Sequence, residues 1–161
     1  MRIDTSLTHH DSQPYFLPHT PTIAPIDFSP HLSATTWMVP LPTPAAPTSS
    51  TLVELPANWY MEDMTPMQFL PVAPNSHGYV SAGSIMEMWR ERFEFLYHEY
   101  DFEEGKGDFI FPLVLHPDTS GMAHVIGMID RMIGWLKARG EEVVFCTYED
   151  VAREWKAKQI I

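Results

Sequence analysis

The chain has one cysteine, Cys146, among 161 residues, so an internal disulfide and a disulfide-stapled scaffold are both excluded. Basic side chains are scarce: ten Lys and Arg against twenty-one Asp and Glu give a net charge of −11. Nucleic acid and anionic membrane surfaces select clustered cations, so neither is expected as a partner. No apolar run approaches the roughly 20 residues of a membrane span, and the first residues carry no h-region of a signal peptide. The sequence also lacks a P-loop, a glycine-rich dinucleotide fingerprint, a Cys-x-x-Cys pair and a serine elbow. Nucleotide chemistry and serine-based acyl transfer therefore receive no support.

What is present divides unevenly. Residues 1–50 hold nine of the fifteen prolines, four of the eight histidines and one basic residue. Proline fixes φ and removes a donor, so neither a long helix nor a central strand is expected there. Apolar groups such as Pro14-Tyr15-Phe16-Leu17, Ile26-Asp27-Phe28 and Trp37-Met38-Val39 make a solvated linker a poor reading. The expectation is a Pro-rich loop over 1–51 strapped across a folded body that occupies 52–158.

Regular signals follow. Leu52-Val53-Glu54-Leu55 reads as a short strand stopped by Pro56. Ile85, Met88, Trp89, Phe93 and Leu96 recur at helical spacing and predict a helix from Ser81 to Tyr100. Phe109 to Leu115 is nearly continuous apolar sequence, suited to a strand covered on both faces, with Pro112 marking a bulge or an edge. A second helix is expected over 121–139, closed by Gly140, then a strand at Val143-Val144-Phe145 with Cys146 buried beside it. Thr147-Tyr148-Glu149-Asp150 has the spacing of a capping box and opens a last helix through Trp155. Strands alternating with helices predict an α/β fold with parallel strands.

In such folds reactive groups collect at the C-terminal ends of strands. His116, between Leu115 and Pro117, is the one titratable group delivered to such a position, and an imidazole can give or take a proton near neutrality. A merely capping histidine is the alternative. Glu62-Asp63, just after Trp59-Tyr60, could orient a catalytic group or bind a polar substrate, or could be a solvated pair. His9-His10-Asp11 lacks a third ligand at useful spacing and reads as an exposed loop. His77, His98 and His124 carry weaker claims, and Met61, Met64 and Met67 read as packing.

The segments Leu113-Val114-Leu115-His116-Pro117-Asp118-Thr119-Ser120-Gly121 and Phe145-Cys146-Thr147-Tyr148-Glu149-Asp150-Val151-Ala152 resemble the C-terminus of polysaccharide deacetylases. The allantoinase-like and peptidoglycan-deacetylase-like branch is the most similar. Leu52 to Pro56 with Trp59 to Asp63, Asp4 to Leu7 with His10-Asp11 and Pro14-Tyr15, and the stretches Ile26 to Ser29 and Trp37-Met38 extend the resemblance along the chain. It implies a partial (β/α) barrel, the C-terminal portion of a hydrolase of carbon–nitrogen bonds other than peptide bonds. It makes His116 the catalytic residue that protonates a departing amine, with Trp59, Asp63 and Pro117 at the substrate. Expected substrates are an N-acetylated sugar or a small cyclic amide or ureide; a homo-oligomer and a cytoplasmic setting are compatible. The family's Asp-Asp strand end, His-x-x-x-His helix and Arg-x-Pro motif are missing, and Ser120-Gly121-Met122-Ala123 departs from its Ser-Gly-Arg-Pro. A zinc-like divalent metal is thus expected in a full-length relative and not in this chain. The chain reads as a truncated or incomplete form, or as an inactive binding or assembly module derived from the fold.

Overall fold

The computed structural model describes residues 2–8, 10–17, 52–69, 71–72, 78–100 and 107–158. Most of the expected Pro-rich loop, including Ile26 to Ser29 and Trp37-Met38, and His77 lie outside the described residues.

Three two-residue strands make one small sheet: β1 (Ile3–Asp4), β2 (Tyr15–Phe16) and β3 (Val53–Glu54). β3 lies in the middle, parallel to β1 and antiparallel to β2. The sheet is therefore mixed where parallel strands were expected, and two of its strands come from the segment read as loop. Chain before proline-rich sequence can still supply short edge strands, because an edge needs only one row of hydrogen bonds. Val53 and Leu55 are buried, as is Ala152, and Ile3, Phe16, Ile110, Val151 and Trp155 pack against them. The Phe16 and Trp155 rings meet edge-on at 4.8 Å.

The helices are α1 (Met64–Met67), α2 (Ala82–Glu99), α3 (Pro117–Ser120), α4 (Ile126–Lys137) and α5 (Tyr148–Lys158). Ser81 starts α2 by accepting the Ser84 amide on its hydroxyl at 3.1 Å. Ile85, Trp89, Phe93 and Leu96 then fall on one buried stripe. Met128, Met132 and Leu136 of α4 face them, and with Met61 and Val125 they form the main core. Each such side chain contributes about 1.5–3 kcal/mol through burial. Arg139 roofs this packing: its guanidinium lies 4.8–4.9 Å from the ring centres of Phe93, Tyr97 and Trp135. Among the described residues no helix is long and apolar enough to cross a membrane.

Four expectations are corrected. The helix expected over 121–139 begins only at Ile126; residues 117–120 form a separate turn whose exit is closed by the Gly121 amide on the Pro117 carbonyl at 3.1 Å. Phe109 to Leu115 makes a single parallel bridge, Val114 with Glu62, in place of a full strand. Val143-Val144-Phe145 lies outside any sheet of the described residues, with Val143 extended and Val144 and Phe145 exposed. Cys146 beside it is exposed too, not buried. Apolar sequence buries a strand only when neighbours lie against it, and here only Val143 packs against the core. The capping box is present: the Asp150 amide donates to Thr147 Oγ1 at 3.2 Å, and the Thr147 amide to Asp150 Oδ2 at 3.3 Å.

Candidate active site

The chain enters the site through a turn built to hold it. Asn58 accepts the Tyr60 amide on its side-chain oxygen at 3.0 Å and opens the 3-10 turn Trp59–Met61. Trp89, fully buried on α2, donates its indole N–H to the Tyr60 carbonyl at 2.9 Å. The Met61 carbonyl then accepts the Val114 amide at 2.9 Å, in the parallel bridge of Glu62 with Val114. Two segments some fifty residues apart in sequence thus advance side by side, and Asp63 stands one residue beyond the bridge and His116 two.

Asp63 is completely buried, and its carboxylate is surrounded by donors. The His116 amide donates to both oxygens, at 3.0 and 3.2 Å. His116 Nδ1 lies 2.8 Å from Oδ1. The Ser120 hydroxyl donates to Oδ2. Ser120 reaches that place because the amides of Thr119 and Ser120 both return to the His116 carbonyl, at 2.9 and 2.8 Å, folding α3 back over the loop. Pro117, at the first position of α3, suits that turn since it needs no donor there. Gln68 ties α1 to α3 through the Thr119 hydroxyl and through Asp118 at 3.4 Å.

The His116 side chain keeps a third of its surface in solvent. A carboxylate on Nδ1 fixes which nitrogen carries the inner proton, so Nε2 is the nitrogen left for chemistry. The bond to Asp63 raises the His116 pKa above the ordinary imidazole value; partial burial opposes this, and the charges of Asp63, Glu62 and Asp118 add to it. The ring is thus better able than a free imidazole to hold a proton and present it at Nε2.

Glu62 is buried as well. Its Oε1 accepts the Thr65 amide at 2.8 Å, and its Oε2 stands 3.9 Å from His116 Nδ1. Glu62, Asp63 and His116 bring three potential ligand atoms within 4.8 Å of one another. They do not fit a metal ion. Zinc-type bonds of about 2.0–2.2 Å in a tetrahedral site keep donors roughly 3.3 Å or more apart. The 2.8 Å between Nδ1 and Oδ1 is a hydrogen bond, and both Asp63 oxygens already accept protons from protein donors.

Of the residues singled out in the sequence, the fold brings His116 and Asp63 into contact. Asp63 lies behind the histidine at zero exposure, whereas the sequence had put it at the substrate. Trp59 is 79% exposed on the preceding turn, and Pro117 is exposed on the following one. His10 is exposed, with its Nδ1 accepting the Ser12 amide at 3.3 Å, and His9 lies outside the described residues. His98 and His124 are exposed elsewhere. A depression of about 690 Å³ runs along α2 beside Ser81, Glu87, Arg90 and Glu94, away from this cluster, and gathers no reactive set. Sequence reasoning missed Ser120; its spacing of four from His116, across a turn begun by proline, is the signal that could have found it.

No protein-family model matches the chain. Among curated proteins it is 55% identical over 152 residues to a peptidoglycan deacetylase-like protein of Gibberella zeae, covering 94% of this chain and 44% of that protein. It is 34% identical over 154 residues to the peptidoglycan deacetylase of Helicobacter pylori, covering 96% of this chain and 48% of that one. The chain spans about half the length of the curated relatives it matches. Two crystal structures share its fold over 99% of its length and 40% of theirs, each with a TM-score of 0.63. They are a probable polysaccharide deacetylase from Pseudomonas aeruginosa PAO1, at 19% identity, and Puue Allantoinase, at 21%.

Proposed function

We propose that this chain, similar over about half their length to proteins named peptidoglycan deacetylases, is a member of the polysaccharide deacetylase family and supplies the proton-donating side of a carbon–nitrogen hydrolase, as the C-terminal portion of a (β/α) barrel. The observation that carries this reading is the hydrogen bond of 2.8 Å between His116 Nδ1 and the buried Asp63 carboxylate.

Hydrolysis of an N-acetyl group passes through a tetrahedral carbon bearing an oxyanion, a hydroxyl and the amine nitrogen. The C–N bond breaks easily only when that nitrogen is protonated, since an amine leaves far more readily than an amide anion. Protonated His116 donates from Nε2 to the nitrogen; the C–N electron pair goes to the amine, the carbonyl re-forms as the acid, and His116 is left neutral. Asp63 keeps its place throughout, orienting the ring and stabilising its cation. Trp59 and Pro117, exposed on either side, offer apolar surface to a sugar ring.

The names of the curated relatives favour an N-acetylated glycan as the substrate class, with a small cyclic amide or ureide as the alternative. Groups that activate water are assigned to another part of the fold, since Glu62, Asp63 and His116 do not fit a metal. The exposed, free Cys146 thiol favours a reducing, cytoplasmic compartment. An inactive binding module is the competing reading, favoured by the poor fit of those three residues to a metal.

Replacing the matching region of the Gibberella zeae relative by residues 1–161 tests the proposal. The chimera should release acetate from an N-acetylated glycan, and H116A should lower kcat by about 10²–10⁴-fold. A chimera equally active with and without His116 would overturn the assignment. Residues 1–161 alone are expected to release no acetate.

A further inference from the structure

His116 has a second acidic neighbour whose placement the dyad with Asp63 does not require. Glu62 has 8% of its side chain exposed. Its backbone is pinned by the bridge to Val114, and its Oε1 is pinned by the Thr65 amide. With one oxygen held, rotation about the carboxylate is frozen, and the other oxygen stays 3.9 Å from His116 Nδ1. The ionisable groups that face the ring among the described residues are Asp63, Glu62 and, from α3, Asp118; all three are acids.

We infer that Glu62 is a positioning residue that acts through His116, its fixed Oε2 supplying a second negative charge at the Nδ1 edge of the ring so that the proton on Nε2 is held until the leaving amine takes it. This rests on the reading of His116 as proton donor, and it adds a residue that the dyad alone leaves out. The chemistry follows from charge. A protonated ring between two ionised carboxylates leaves the cluster at −1, and a neutral ring leaves it at −2 in a largely buried setting. Loss of the proton is therefore opposed twice, and its recapture from solvent after each turnover is favoured twice.

A cap for α1 is the competing role, because Oε1 satisfies the Thr65 amide. The two roles separate cleanly. In E62Q the amide oxygen still accepts from Thr65, so the cap survives while the charge is lost; E62D keeps the charge at a shorter reach.

The test follows ethoxyformylation of His116 by diethyl pyrocarbonate against pH in the full 161-residue chain, resolved by peptide mass mapping. The reagent attacks only the neutral ring, so the rate reports the titration midpoint. E62Q should lower the midpoint by about one unit, making His116 about tenfold more reactive on the rising limb, and D63N should lower it further. E62D should keep most of the wild-type value, and E62M, neutral and of similar length, carries the charge test if E62Q fails to fold. A shift in E62Q smaller than about a third of a unit, or equal shifts in E62Q and E62D, would overturn the inference. The readout needs no turnover, so it stands or falls apart from the acetate-release experiment.

Discussion

Replacing Asp63 by Asn changes the site by one charge and almost no volume, and its cost can be worked from the contacts. Three donor groups converge on the carboxylate: the His116 amide, His116 Nδ1 and the Ser120 hydroxyl. Bonds to a charged acceptor contribute about 1.5–3 kcal/mol each and neutral ones about 0.5–1.5, so exchanging three costs roughly 3 kcal/mol. Solvent over the exposed third of the histidine screens its share, which brings the expectation to about 2–3 kcal/mol at pH 5.5. The penalty must also depend on pH. The His116 pKa is raised in the folded chain. Its charge pair therefore stabilises fully below the ordinary value of about 6.5 and is lost as pH rises through the folded value. D63N should thus cost about 1 kcal/mol less at pH 9 than at pH 5.5. Urea denaturation followed by tryptophan fluorescence at the two pH values measures both numbers. A cost below about 1 kcal/mol, or one that is equal or greater at pH 9, would refute the account of Asp63 as the buried counter-charge of His116.

Other substitutions probe the scaffold. Trp89→Phe removes the donor to the Tyr60 carbonyl and part of a fully buried side chain; about 2–3 kcal/mol should be lost in urea denaturation. Thr147→Ala deletes the hydroxyl that starts α5 and should lower stability by about 1 kcal/mol, with reduced helical circular dichroism near the midpoint. Cys146 should react with a thiol-specific disulfide reagent in the native chain without denaturant. Partial burial and the nearby acids Glu154 and Asp150 raise its pKa, so that rate should still be climbing at pH 9. Protection of the thiol until the chain unfolds would contradict its position.

Elements whose signal is local were legible. α2 announces itself by five apolar residues at helical spacing, of which all but Met88 are buried, and α5 by a capping box. His116 was visible because a proline ends the apolar run beside it. What needs a partner far along the chain was not. β1 and β2 are two residues each, too short for any period, and exist only because β3 lies between them. Val143 to Cys146 reads as a strand because apolar β-branched sequence is the mark of burial, but that mark says nothing of whether a neighbour is there. Asp63 was picked out as a polar residue near an aromatic; its role is set by a histidine 53 positions away, which no spacing rule reaches.

The single bridge of Glu62 with Val114 has a bearing on how this site can change through mutation. Asp63 and His116 meet because two stretches of main chain start level and take one and two steps onward. Side chains on either stretch can be exchanged without disturbing that alignment. A one-residue insertion or deletion between Met61 and Asp63, or between Val114 and His116, would instead turn the carboxylate or the imidazole to the opposite face. Lineages carrying this arrangement should therefore keep both intervals constant in length, whichever side chains other than Glu62, Asp63 and His116 they replace. The spacing is what inheritance has to preserve alongside those three.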